Sequence, residues 1–440
     1  MKQKTTTWGV AGRLQVDLTH DLQLVSLSAY REIEFDNTGV DPDWTEVNAL
    51  TGNLYENQHQ FSEELQLTGT SGALKWLTGL YYLTEDDSLF VPSSAHLAGL
   101  ILFGTANLLS VNDTAVETEA WAAYANGTYA LTDKLSITAG ARYSEEEKSV
   151  DAQAFLLVDG VNPGFGGFAR RDRADWQAWT PKLGVDYQWT EDRMLYASVT
   201  RGFKSGGFNA LADQGPFQPE YIWAYELGVK SDWLGNRLRA NASAFYYDYT
   251  DLQVQTFQDP TDVGGAPTII LKNAASATVQ GVELELDALP LDQLRLSAAV
   301  AFLDATFDEF VSARGTAPDV PIDVSGNTLS NAPKWAYSLS ARYELDVSDH
   351  GTLAFFAGYK WQDEIFFTQF NDPGNRQGSY GLLNAQIDFQ TSDGRWQFSV
   401  FGANLTDEVY YTGTTDFSPL GVVGYINAPR TIGAKVSFKN

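Results

Sequence analysis

The chain has 440 residues, no cysteine, and a formal net charge of −27 from 29 Lys+Arg against 56 Asp+Glu. That balance argues against a nucleic-acid partner, which needs a basic face, and a cysteine-free chain has no disulfides, thiolate metal sites or cysteine nucleophiles. Aromatic residues make up 13% of a sequence whose mean hydropathy is −0.23, and no stretch approaches the roughly 20 apolar residues of a transmembrane helix; transmembrane strands with aromatic anchors, a polar lumen and polar loops have this combination.

Met1-Lys2-Gln3-Lys4 is followed by Thr5-Thr6-Thr7-Trp8, without the apolar run of a signal peptide. Period-two alternation then dominates. It predicts about 17 strands, near residues 6–18, 22–36, 54–69, 74–87, 115–131, 134–149, 174–189, 193–206, 219–233, 237–257, 267–288, 293–307, 331–345, 351–366, 378–390, 395–410 and 427–439. In the stretch from Trp179 to Trp189, Trp179, Pro181, Leu183, Val185, Tyr187 and Trp189 share one face, while Thr180, Lys182, Gly184, Asp186 and Gln188 share the other. A strand crossing lipid needs that division, with aromatic residues at the two interfaces.

The connectors alternate between short and long. Thr19-His20-Asp21, Thr132-Asp133, Gly235-Asn236 and Thr391-Ser392-Asp393-Gly394 are among the short turns; long loops are expected near 37–53, 88–114, 150–173, 207–218, 258–266, 308–330, 367–377 and 411–426. Soluble sandwiches, barrels and solenoids also alternate, but a soluble meander has no reason to gather every long loop at one end. Short periplasmic turns and long extracellular loops characterise bacterial outer-membrane barrels. The expected fold is therefore all-β: a transmembrane antiparallel barrel whose last strand runs toward the periplasm. Single-chain bacterial barrels have even strand numbers. An odd count and a missing export signal together lead us to expect an N-terminally truncated barrel over residues 1–440.

Several segments resemble TonB-dependent outer-membrane receptors, in family order. The stretch from Leu195 to Asn209, LYASVTRGFKSGGFN, is very like a strand-and-loop motif of that family; Pro219-Glu220 through Glu226-Leu227-Gly228-Val229-Lys230, Asn273-Ala274-Ala275 with Gly281-Val282-Glu283-Leu284-Glu285, Asn331-Ala332-Pro333-Lys334, Asn404-Leu405-Thr406-Asp407 and Ala428-Pro429-Arg430-Thr431 resemble later ones. The resemblance implies a 22-stranded barrel with an N-terminal plug and TonB box; no candidate for either is read in this sequence, in keeping with the expected N-terminally truncated barrel. It also implies uptake of a scarce ligand, most often a ferric siderophore, energised by TonB through the plug, in the outer membrane of a Gram-negative bacterium. A passive porin-like channel and an adhesin or structural barrel are the alternatives. A monomer in contact with outer-membrane lipid and lipopolysaccharide is expected.

No enzyme, cofactor or metal site is expected. His20, His59, His96 and His350 are scattered, without a partner at metal-ligand spacing. Asp36, Asp41, Asp43 and Glu46, and likewise Asp259 and Asp262, are read as solvated loop acids because no regular calcium-loop pattern surrounds them. Arg170, Arg171 and Arg173 stand out in an acidic chain and follow Phe165 and Phe168 in a glycine-rich stretch. Arginine clusters suit phosphate, carboxylate or catecholate ligands, so these five residues are the ligand-binding candidates. Contact with lipopolysaccharide and simple charge balance are the competing readings.

Overall fold

The computed structural model describes residues 2–40, 51–164, 167–258, 268–312, 320–416 and 422–439. Seventeen long strands form one antiparallel meander: β1 (Lys2–Thr19), β2 (Leu22–Val40), β3 (Thr51–Ser71), β4 (Leu74–Ser94), β5 (Leu108–Ala130), β6 (Leu135–Val158), β7 (Phe168–Thr190), β8 (Arg193–Lys204), β9 (Glu220–Trp233), β10 (Leu238–Gln258), β11 (Thr268–Leu291), β12 (Leu294–Ser312), β13 (Trp335–Asp346), β14 (Gly351–Gln362), β15 (Tyr380–Thr391), β16 (Trp396–Ala403) and β17 (Thr431–Phe438). A short strand, Ile322–Asp323, pairs with the end of β12 and completes an 18-stranded sheet. Among the described residues β1 and β17 do not pair with each other, so they are the two edges of the wall. No described helix is long and apolar enough to cross a membrane; the strands are the crossing elements.

All seventeen expected strands are present, but several are longer at the long-loop end. β6 continues to Val158 and β7 begins at Phe168, so most of the stretch 150–173 is strand rather than loop. Beyond the lipid both faces of a strand meet polar surroundings, so the apolar-polar alternation fades there although the backbone ladder continues.

Register separates the two faces of the wall. Trp179, Leu183 and Trp189 on β7 are more than half exposed and stand on the outer face. Trp179 and Trp189 are ten residues apart, about 33 Å along a strand and about 25 Å along the membrane normal at a tilt near 40°. An aromatic row follows the upper edge of this band: Trp121 lies 5.3 Å from Tyr143, Tyr143 lies 5.1 Å from Trp179, and further round Tyr225 meets Tyr246 and Phe302 meets Trp335. The inner face is polar, and two of its tyrosines lie over glycines of a neighbouring strand. Tyr124 covers Gly79 and donates to Glu64 at 2.5 Å; Tyr196 covers Gly228 and donates to Glu226 at 2.5 Å.

The upper rim is uneven. β7 pairs with β8 only from Lys182↔Thr200 downward, whereas Phe168–Pro181 of β7 pairs only with β6. The ladder to β8 stops next to Pro181, which has no N–H to donate. With β8 ending at Lys204 and β9 starting at Glu220, these two strands form a saddle between the tall wall β5–β7 and the tall hairpin β10–β11.

Candidate functional site

The segment from Ser205 to Pro219 joins β8 to β9 and lies in this saddle on the inner side. It is a small hairpin: Gly207 and Phe217 exchange N–H···O bonds of 3.2 and 2.9 Å. Three inward side chains of the tall wall donate to its carbonyls: Lys148 to Gly206 at 3.0 Å, Arg170 to Asn209 at 3.3 Å and Thr114 to Ala210 at 2.7 Å. On the other flank the buried Asn209 carboxamide pairs with the backbone of Leu271, accepting from its N–H at 2.8 Å and donating to its carbonyl at 3.0 Å. Asn273 bonds the backbone of Gln218 through both side-chain atoms, at 2.6 and 2.7 Å. The segment is thus a strap tied to both sides of the saddle. Close approach explains its glycines: a β-carbon on Gly206 would stand 2.5 Å from the Trp176 indole nitrogen, and one on Gly207 would stand 2.8 Å from the Phe217 ring.

Beneath and beside the strap is a row of cations and rings. The Arg170 guanidinium lies 5.5 Å from the Phe208 ring, Phe208 lies 6.2 Å from Trp176, and Lys148 lies 6.0 Å from Trp176. Lys148 is also paired with Glu146 at 2.8 Å. The Nε and Nη1 atoms of Arg170 are buried and have no hydrogen-bond partner among the described residues.

Next to the strap the rim is closed by apolar packing. Ala275, Ala277, Phe307, Phe310 and Val324 are buried together on the inner side of β11 and β12, with Ile322, Leu329 and Phe370 packed against them. Polar side chains hold the two loops that bring these residues in: Asn371 exchanges hydrogen bonds with Thr328, and Asn327 donates to the Gln369 carbonyl at 2.9 Å. On the far side, beyond the girdle, burial and then the neighbouring Glu56 and Glu85 push the Asp87 carboxyl above its ordinary range. Asp159 is held low, chiefly by a hydrogen bond from Asn107 and then by one from Thr105.

The candidate arginines are not brought together. Strand alternation turns Arg170 inward and turns Arg171 and Arg173 outward, where their side chains are 85% and 68% exposed. Arg171 pairs with Asp151 at 2.8 Å, and Arg173 pairs with Glu147. Phe168 shares the inner face with Arg170; Phe165 lies outside the described residues. Asp41, Asp43, Glu46, Asp259 and Asp262 also lie outside them. Among the described residues no group of three or more His, Asp or Glu is placed to hold a metal ion. The inner partners Thr114, Lys148, Trp176, Phe208 and Leu271 are not among the binding candidates from sequence; for Lys148 and Trp176 the parity of β6 and β7, extended past the girdle, carries the signal.

The family model "TonB dependent receptor-like, beta-barrel" matches residues 2–405. The chain is 28% identical over 324 residues to the "Pesticin receptor" of Yersinia pestis, covering 72% of this chain and 43% of that protein. It is 32% identical over 242 residues to the "Metal-pseudopaline receptor CntO" of Pseudomonas aeruginosa, covering 53% of this chain and 30% of that one. It therefore spans less than half the length of these curated relatives. Among solved structures it is similar in fold to the ferric yersiniabactin uptake receptor FyuA from Yersinia pestis, with a TM-score of 0.79 at 22% identity over 99% of this chain and 61% of that one. The siderophore receptor PiuA from Acinetobacter baumannii gives a TM-score of 0.78 at 20% identity, over 99% and 64%. From strand order, inward-folded rim and matching family model, the chain belongs to the TonB-dependent receptor-like β-barrel family.

Proposed function

We propose that this chain is the barrel of a multi-pass outer-membrane receptor of a Gram-negative bacterium, taking up a scarce anionic chelate, a ferric siderophore, by TonB-energised transport. The coupling to TonB runs through the plug of the whole receptor, and the barrel works as a monomer that holds ligand-binding loops rigid above a polar lumen. The observation that carries the reading is the inner rim at the long-loop end, taken as extracellular. There a cation, Arg170, and the rings of Phe208 and Trp176 line a surface that the loops fold in to build. Guanidinium and aromatic faces together suit a flat, delocalised anion such as a catecholate or phenolate chelate. Phe168 shares that face, and Phe165, outside the described residues, stays a ligand-binding candidate from sequence. Arg171 and Arg173 stand on the outer wall above the girdle, and their exposure there supports contact with the anionic groups of lipopolysaccharide instead. The names of relatives that are receptors for metal-pseudopaline and ferric-pyoverdine support the substrate class. The test is uptake of radiolabelled ferric siderophores by iron-starved cells carrying or lacking the full-length gene, with and without TonB. Uptake that needs both supports the proposal; uptake that survives loss of TonB overturns it in favour of a passive channel.

A further inference from the structure

The Arg170 guanidinium is in an unusual position. Only its Nη2 has a partner, the Asn209 carbonyl of the strap, while Nε and Nη1 are buried and have none among the described residues. A buried cation with unmet donors disfavours the arrangement that buries it. Two more atoms at the strap's base are left the same way: Ser205 Oγ and Gln253 Oε1 are buried without partners, although the Gln253 amide donates to the Ser205 carbonyl at 2.9 Å and the Gln218 carbonyl at 3.0 Å. Four of the nine buried, unpartnered side-chain polar atoms among the described residues thus lie where the strap seats. The strap's body is held by separate, single contacts from Lys148, Arg170 and Thr114 and by the Asn209 clamp on Leu271, while its two ends, Ser205 and Gln218, stay tied by Gln253 and Asn273 and act as the hinge.

We propose that the strap of residues 205–219 is a displaceable cover over an anion-binding site centred on Arg170, so that anion binding selects the lifted strap. The inference rests on reading the inner rim as the ligand surface and adds its regulation. Lifting breaks the Asn209–Leu271 clamp, carries Phe208 off with the strap, and frees the Arg170 donors and the face of the guanidinium that Phe208 covered, so that Arg170 and Trp176 remain as the fixed part of the ligand surface. A bound anion then satisfies what the seated strap leaves unmet. In this scheme the apparent affinity is the intrinsic affinity reduced by the fraction of molecules with the strap lifted.

The absence of native cysteine makes the test direct. An Asp213→Cys variant carries a nitroxide on the exposed part of the strap, in the full chain in detergent micelles, and ferric tris(catecholate) is the probe. Binding is read separately by quenching of tryptophan fluorescence. The proposal expects the probe to raise nitroxide mobility. It also expects Asn209→Ala to free the label without probe and to bind ferric tris(catecholate) about three- to ten-fold more tightly. Gly206→Ala, whose methyl meets the Trp176 ring, is a second route to the lifted state. Arg170→Gln should abolish the gain in each background. Weaker binding in Asn209→Ala and Gly206→Ala would make the strap a wall of the site and overturn the inference while leaving the ligand surface standing. Binding with no change in label mobility would do the same. No binding in any background would overturn the anion reading itself.

Discussion

Arg170 and Arg171 are adjacent in the chain but stand on opposite faces of the barrel wall. Arg170 reaches inward to the Asn209 carbonyl at 3.3 Å, and Arg171 reaches outward to Asp151 at 2.8 Å. A strand at this place makes the division unavoidable, because successive side chains point to opposite faces. The two arginines should therefore behave differently. We expect Arg170→Gln to lower affinity for ferric tris(catecholate) about ten-fold or more, since a charge-assisted contact to an anion is among the stronger ones. The pair Arg171→Ala with Arg173→Ala should change it less than two-fold, because exposed ion pairs contribute little. Isothermal titration of the three proteins checks this, and equal losses in both would contradict the division.

How much was legible follows from the same strand. From Leu135 to Tyr143 and from Trp179 to Trp189 one face meets lipid, so the alternation is strong and the strands could be placed from sequence. Past Tyr143 and Trp179 both faces are wet or covered by loops, the contrast disappears, and Arg170–Arg173 read as a loop cluster. The strap was legible only as a glycine-bearing motif. Its seating depends on Thr114, Lys148 and Leu271, which are 58 to 96 residues away from their partners in the strap, and no local pattern connects them.

The outer and inner faces predict opposite tolerances at one depth. Leu183 is an outer residue in register with Val199, and Ser198 is an inner one in register with Gly184. We expect Leu183→Arg to cost about 2–4 kcal/mol, the range for a cation facing lipid near the middle of the bilayer, and Ser198→Arg to cost far less. Folding yield into vesicles, read as the heat-modifiable gel shift, distinguishes them; equal yields would contradict the facial assignment.

The paired Tyr–Gly contacts of the inner wall should be intolerant of a methyl group. A β-carbon on Gly228 would stand 2.5 Å from the Tyr196 ring, whereas one on Gly12 meets nothing within 4 Å. Gly228→Ala must push the ring aside and weaken its hydrogen bond to Glu226, which should destabilise by about 1–3 kcal/mol, as overpacking does. Gly12→Ala should be near neutral. Urea unfolding in lipid vesicles gives both values, and a neutral Gly228→Ala would count against the ring-over-glycine packing.

The small apolar core of the rim should behave like the interior of a soluble protein. Phe310 is 2% exposed and packs 5.1 Å from Phe307 and against Val324. We expect Phe310→Ala to destabilise this module by about 3–5 kcal/mol while the membrane-crossing strands keep their ladder. Hydrogen exchange should therefore quicken at Val324, Gly326 and Leu329, whose amides bond to β12, and remain slow at Leu294–Val300. Uniform quickening would mean that the rim and wall unfold as one unit.

The Asp159 carboxylate gives the rim a dependence on acid. It accepts hydrogen bonds from Thr105 at 2.7 Å and Asn107 at 2.9 Å, and its backbone N–H donates to the Asn107 carbonyl at 3.0 Å, so it staples the β4–β5 connection to the end of β6. Those contacts, Asn107 first, lower its pKa in the folded state. Because the folded value lies below the unfolded one, the stabilisation is complete above the ordinary carboxylate pKa, near 4. It is lost as pH falls through the lowered value. The loop should therefore keep its protection from pH 7 to about 5 and lose it only in stronger acid. Asp159→Asn should remove that dependence, because the amide does not titrate, and leave the loop more open at neutral pH. Exchange at the Asp159 and Val161 amides across this range measures it; loosening that begins near pH 6 in the parent chain would show that another group controls the connection.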